Sequence, residues 1–110
     1  MGETVGQRYW IDTRKFGPTL RAILEHYAAD CVVSIDGEVF DRETIPALVE
    51  TWCTRRSIEA CREFQVSRGG LAIVGFHDHP SDLWAEPSES ALVSLLESRG
   101  LARCRLLPER

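Results

Sequence analysis

The stretch Ile58-Glu59-Ala60-Cys61-Arg62-Glu63-Phe64-Gln65-Val66-Ser67-Arg68-Gly69-Gly70-Leu71-Ala72-Ile73-Val74-Gly75-Phe76 decides the fold. In its first half Ile58, Ala60, Phe64 and Val66 alternate with Glu59, Cys61, Glu63, Gln65 and Ser67. That is the period of a strand with one buried face. Gly69-Gly70 is a hairpin signal, because the favoured two-residue turn needs positive φ at both central positions. Leu71–Phe76 is apolar at every position except the small Gly75, which predicts a central strand covered on both faces. A two-residue loop then sets Phe64 opposite Gly75, Val66 opposite Ile73 and Arg62 opposite His77.

Working outward, Gln7–Asp12 carries Tyr9, Trp10 and Ile11 and reads as a first strand. Pro18 suits the first turn of a helix, and Leu20, Ile23, Leu24 and Tyr27 follow the spacing of one buried helical face, so Pro18–Ala29 is a helix. Cys31–Ile35, the turn pair Asp36-Gly37 and Val39-Phe40 make a small hairpin. Ile45, Leu48, Val49 and Trp52 repeat the helical spacing. Pro46 must sit in the first turn of that helix, which predicts an N-cap near Thr44 rather than Asp41 and a core position for Trp52. Leu83-Trp84-Ala85 adds a short strand. A third helix opens at Pro87-Ser88 with Ser88 as N-cap, presents Leu92, Leu95 and Leu96, and stops at Gly100. Leu101–Leu107 is the last strand. Residues 1–110 are expected to form a single domain without a linker. The expected fold is α+β, a two-layer sandwich of about five mostly antiparallel strands against three amphipathic helices.

Hydrophobic residues make up 44% of the 110-residue chain and charged residues 27%, which excludes a disordered, collagen-like or coiled-coil protein. No apolar run approaches the roughly 18 residues of a membrane span. The opening Met1–Gln7 is polar and does not read as a secretory signal, so the expected location is cytoplasmic. Acidic residues outnumber basic ones 17 to 13. The acids gather in two segments, Glu25–Glu50 and Asp78–Glu97, while the arginines gather in Arg55–Arg68 and Arg99–Arg110. A net charge of −4 argues against direct nucleic-acid binding and favours a basic protein partner. Cys31, Cys53, Cys61 and Cys104 form no CxxC pair and read as reduced, structural thiols.

The main candidate for chemistry is Gly75-Phe76-His77-Asp78-His79-Pro80-Ser81-Asp82, at the end of the central strand. In extended chain His77 and His79 project to one face, so they could share a metal, with Asp82 or Glu86 as an oxygen ligand. The His-x-His element resembles the metal motif of amidohydrolase barrels, which need about 250 residues and are excluded by length. Without metal, His77 or His79 could be a general base oriented by Asp78, Asp82 or Glu86, with Arg62 binding an anionic substrate. The plain alternative is a polar strand end entering a turn. No phosphate-binding glycine motif, nucleophile elbow or zinc module is present, and no cofactor is implied.

Leu24–Trp52 resembles the helix–strand–helix segment of nuclear-transport-factor-like domains, which would imply a small-molecule pocket, in some members with an Asp/His pair. Ile35–Trp52 also resembles the opening of barstar-type ribonuclease inhibitors. One short stretch that resembles two unrelated families assigns the chain to neither.

The expected function is therefore that of a small acidic protein-binding module, non-catalytic, similar in type to bacterial immunity proteins and phage inhibitors. Its partner would be basic, for example a nucleic-acid-handling toxin or enzyme. The expected contact residues are Asp36, Glu38, Asp78, Asp82 and Glu86, with Trp84 as a partly exposed apolar anchor. The alternative is a ligand-binding or enzymatic pocket at the end of strand 71–78 using His77, His79, Asp82 and Arg62.

Overall fold

A computed structural model describes residues 7–52, 61–78 and 82–108. Strand β1 (Gln7–Thr13) is followed by helix α1 (Phe16–Tyr27), the hairpin β2 (Val32–Ile35) and β3 (Glu38–Phe40), and helix α2 (Ile45–Trp52). Next come the hairpin β4 (Glu63–Arg68) and β5 (Leu71–His77), and the short strand β6 (Trp84–Ala85). A 3₁₀ turn at Pro87–Glu89 leads into helix α3 (Ser90–Ser98), and β7 (Ala102–Pro108) closes the chain. The fold is α+β. Its seven strands form one antiparallel sheet in the order β3-β2-β4-β5-β6-β1-β7. The count of about five becomes seven when the two shortest, β3 and β6, are included, and these fall at the expected hairpin return Val39-Phe40 and short strand Leu83-Trp84-Ala85.

As expected, β5 is the central strand and pairs antiparallel with β4 through Gly69-Gly70, whose φ values are 59° and 83°. Asp36 and Gly37 make the same kind of turn at φ 49° and 91°. The expected register holds only beside the Gly69-Gly70 turn, where Arg68 faces Leu71. A bulge between Val66 and Ser67 then shifts the pairing by one, so that Val66 faces Val74, Phe64 faces Phe76 and Glu63, not Arg62, faces His77. Leu71, placed in the covered strand by its apolar side chain, is 72% exposed because it follows the turn directly.

The helices form where the apolar spacing puts them. On α1, Leu20, Ile23, Leu24 and Tyr27 are buried, and Pro18 falls in the first turn. Helix α2 starts at Ile45, after Thr44, but the capping bonds come from Asp41. Asp41 Oδ1 accepts from the backbone N–H groups of Glu43 and Thr44, and Thr44 Oγ1 accepts from the Asp41 N–H at 2.8 Å. Those bonds hold the exposed Asp41 carboxyl below its ordinary value. Ser88 lies in the 3₁₀ turn rather than at the α3 N-cap, which is Glu89. Gly100, at φ 67°, ends α3 in a Schellman arrangement, with Gly100 N–H donating to Glu97 O and Leu101 N–H to Leu96 O. The Trp52 side chain and the expected strand start at Ile58–Ala60 lie outside the described residues.

Buried side chains from all three helices join Ile11, Val33, Ile35, Phe64, Val66, Val74, Phe76, Leu83 and Ala85 in one apolar cluster. Phe76 packs at 5.9 Å from Phe64 and 5.7 Å from Phe16, ring centre to ring centre. Edge strand β7 is protected on its open side. The Cys104 N–H donates to Glu97 Oε2 at 3.2 Å, and Pro108 has no N–H to offer. Among the described residues no helix is long and apolar enough to cross a membrane.

Candidate functional site

Strand alternation sorts the sheet into two faces. One face carries the apolar cluster. On the other, cross-strand pairing aligns Arg105, Trp10, Trp84, Gly75, Gln65, Ser34 and Val39 in a row across all seven strands. A cleft of about 410 Å³ opens beside this row, lined by Arg8, Trp10, His77, Asp78, Asp82 and Trp84. Gly75 contributes no side chain next to Trp84, and it could not, because a Cβ there would lie 2.5 Å from the Phe64 carbonyl oxygen.

Within the cleft the Arg8 guanidinium lies 4.0 Å from the centre of the Trp84 ring and its Nε is 3.9 Å from Glu86 Oε1. His77 Nδ1 is 3.3 Å from Glu63 Oε2. The Asp78 backbone is in the left-handed region at φ 65°, a conformation that aspartate tolerates better than most residues. Its N–H donates to the Arg62 carbonyl at 2.6 Å. The Arg62 N–H in turn donates to Asp36 Oδ1 at 3.0 Å, and so does the Glu63 N–H at 2.8 Å. Asp36 and Asp78 are the two described non-glycine residues with positive φ, and they grip the same backbone unit from either side.

The structure brings together part of the expected set. His77, Asp78, Asp82 and Trp84 line one cleft, and Glu86 reaches it through Arg8. Arg62 does not line it. The bulge gives Glu63 the place opposite His77, and Arg62 serves through its backbone. Trp84 is 7% exposed, a wall of the cleft rather than a protruding anchor. Asp36 Oδ1 accepts from the Arg62 and Glu63 backbone, while Glu38 is exposed on β3. His79 lies outside the described residues, and among those described no three His, Cys, Asp or Glu side chains gather as a metal site.

Glu89, part of the second acidic segment, is 5% exposed and is not a surface charge. Its carboxylate accepts from Tyr27 OH at 2.6 Å and Ser88 Oγ at 2.7 Å, and lies 3.4 Å from Arg68 Nη1. Burial pushes the carboxyl up, but those two hydroxyls and the Arg68 charge outweigh it and hold it below its ordinary value. Burial, reinforced by Glu89, drives the Tyr27 hydroxyl far up. The described cysteines, Cys31, Cys61 and Cys104, are free thiols. Burial raises them to about 11, 11 and 12, so they are poor nucleophiles.

Arg8, Trp10 and Glu63 escape the motif reading. The signal for the first two lies in Gln7–Asp12, where Arg8, Trp10 and Asp12 alternate with Tyr9 and Ile11 and must share a face. Compared with protein families, curated proteins and solved structures, the chain matches none.

Proposed function

We propose that this protein is a small cytoplasmic binding module of the inhibitor or immunity-protein type, non-catalytic, which docks a basic protein partner. The single observation that carries this reading is the convergence of the two acidic segments. Asp36 from one and Asp78 from the other hold the same residue, Arg62, beside Glu63 and the cleft that Asp82 lines. Carboxylates gathered at one end of a sheet raise the encounter rate with a basic surface and give it orientation. The proposal includes a two-layer packing of sheet and helices, a bacterial or phage origin, and a partner that handles nucleic acid. Trp84 enters it as a cleft wall.

The test is titration of ¹⁵N-labelled protein with an arginine-rich peptide. Amide signals of residues 36–38, 62–63, 77–78 and 82 should move, with affinity that falls as salt rises and falls again in the Asp78→Asn/Asp82→Asn protein. Perturbations centred on another face, or binding indifferent to salt, would overturn the reading.

One contact favours the second reading, a small-molecule site. Glu63 beside His77 Nδ1 would leave Nε2 as a base at the cleft. A small molecule that raises the melting temperature, with the rise abolished by His77→Ala, would put this reading first.

A further inference from the structure

Going beyond the docking reading, we infer that two copies of this chain pair end to end about a two-fold axis, the acidic half of one sheet end against the basic half of the other. The strand directions bring five points of the chain to one end of the sheet: the β2–β3 turn, the start of β4, the ends of β5 and β1, and the start of β7. Charge changes sign across that end. Among the described residues, the half from β3 to β5 carries Asp36, Glu38, Glu63 and Asp78 against one arginine, Arg62. The half formed by β1, β7 and the end of α3 carries Arg14, Lys15, Arg99 and Arg103 against Asp12 and Glu97. Backbone geometry gathers the four cations. The Arg14 N–H donates to the Leu101 carbonyl at 2.9 Å, Arg99 and Arg103 lie two residues to either side of Leu101, and Lys15 follows Arg14. All four are exposed, and among the described residues none of them makes an ion pair.

The two halves do not neutralise each other within one copy. β3 and β7 are the outermost of seven strands, six spacings of about 4.8 Å or roughly 29 Å apart, far beyond the screening length of about 8 Å in physiological salt. A two-fold axis at right angles to the sheet reverses the strand order. Because β5 is the middle strand, β3 then meets β7 of the second copy, and β2 meets its β1. Glu38 faces Arg103 of the second copy and Asp36 faces its Arg14, and each contact occurs twice. A foreign basic protein matches only the acidic half, and a foreign acidic one only the arginine corner. A second copy matches both at once.

The experiment is sedimentation equilibrium of the whole chain at rising protein concentration, in about 0.01 M and about 1 M salt, where charges are screened over about 30 Å and about 3 Å. A monomer–dimer equilibrium is expected in the dilute salt, and the dimer should dissociate in the concentrated salt. Arg103→Glu and Glu38→Arg each turn two contacts of the dimer from attraction to repulsion. Each variant alone should therefore dimerise at least about tenfold more weakly. Mixed one to one, the two variants match in charge at both contacts and should pair as tightly as wild type, which also shows that both are folded. Asp78→Asn, at the end of the middle strand, meets its own copy across the axis and should not weaken the dimer. A protein that stays monomeric in dilute salt, a dimer that survives concentrated salt, oligomers that keep growing with concentration, variants that stay apart when mixed, or a weaker dimer in Asp78→Asn would overturn the inference. So would a monomer whose amide signals at residues 99–103 move with a glutamate-rich peptide, since the corner would then serve a foreign acidic partner. Dimerisation without binding of the arginine-rich peptide leaves the inference standing while the docking reading fails. Peptide binding by a protein that stays monomeric does the reverse.

Discussion

Two rows of residues cross the sheet one position apart. Leu106, Tyr9, Ala85, Val74, Val66, Val33 and Phe40 form one, and Arg105, Trp10, Trp84, Gly75, Gln65, Ser34 and Val39 the other. The first is apolar from edge to edge, and its four middle residues are fully buried. The second changes character along its length, from a cation through two indoles and a glycine to amide, hydroxyl and an exposed valine. The same seven strands carry both rows, so the difference lies in the side chains and in what packs over each face. The first row does the work of stability. Each buried aliphatic or aromatic side chain contributes about 1.5–3 kcal/mol. The second row is free to hold charge and shape, and the cleft is found there.

The comparison breaks most visibly in the core. Phe76→Ala removes a fully buried ring held between Phe64 and Phe16 and should cost about 3–5 kcal/mol in a denaturant melt. A loss under about 1 kcal/mol would mean that the two faces do not differ as described.

Gly75→Ala tests the other row at its tightest point. The new Cβ would lie 2.5 Å from a backbone oxygen that cannot swing aside, so the strands must part. About 2–3 kcal/mol of destabilisation is expected, and the cleft should lose ligand affinity at the same time. Unchanged thermal stability would show that β4 and β5 are further apart there.

Glu89→Gln sharpens the contrast between buried and surface acid. Losing a charged acceptor for Tyr27, Ser88 and Arg68 should cost about 1–2 kcal/mol near neutral pH. Glu89 sits below its ordinary 4.5 when folded, so the unfolded chain binds its proton first. Its contribution is complete above the unfolded value and is lost as pH falls through the lower folded value. Melting temperature against pH should therefore drop in acid for the wild type and be flatter for Glu89→Gln.

The smallest effect is expected at Asp78. As an exposed residue whose N–H bond survives the change, Asp78→Asn should alter stability by less than about 0.5 kcal/mol while weakening cation binding. A substantial loss of stability would make Asp78 part of the scaffold instead.

Local pattern determined much of this molecule. Alternation marked β4, a continuous apolar run marked β5, the Gly69-Gly70 and Asp36-Gly37 pairs marked the β4–β5 and β2–β3 turns, and helical spacing marked the buried faces of α1, α2 and α3, because period and turn chemistry act over a few neighbouring residues. Gly75-Phe76-His77-Asp78 was legible as a strand end with polar chemistry for the same reason. Only the tertiary structure decided what those residues meet. A single bulge after Val66 exchanged Arg62 for Glu63 opposite His77, and no local signal announces a bulge. Arg8 and Trp10 reach the cleft because β1 pairs with β6, a contact between residues far apart in the chain. Trp84 is covered, and Glu89 is buried among Tyr27, Ser88 and Arg68, although the surrounding sequence is acidic and rich in turn residues. Burial is a property of long-range packing, and composition along the chain carries no record of it.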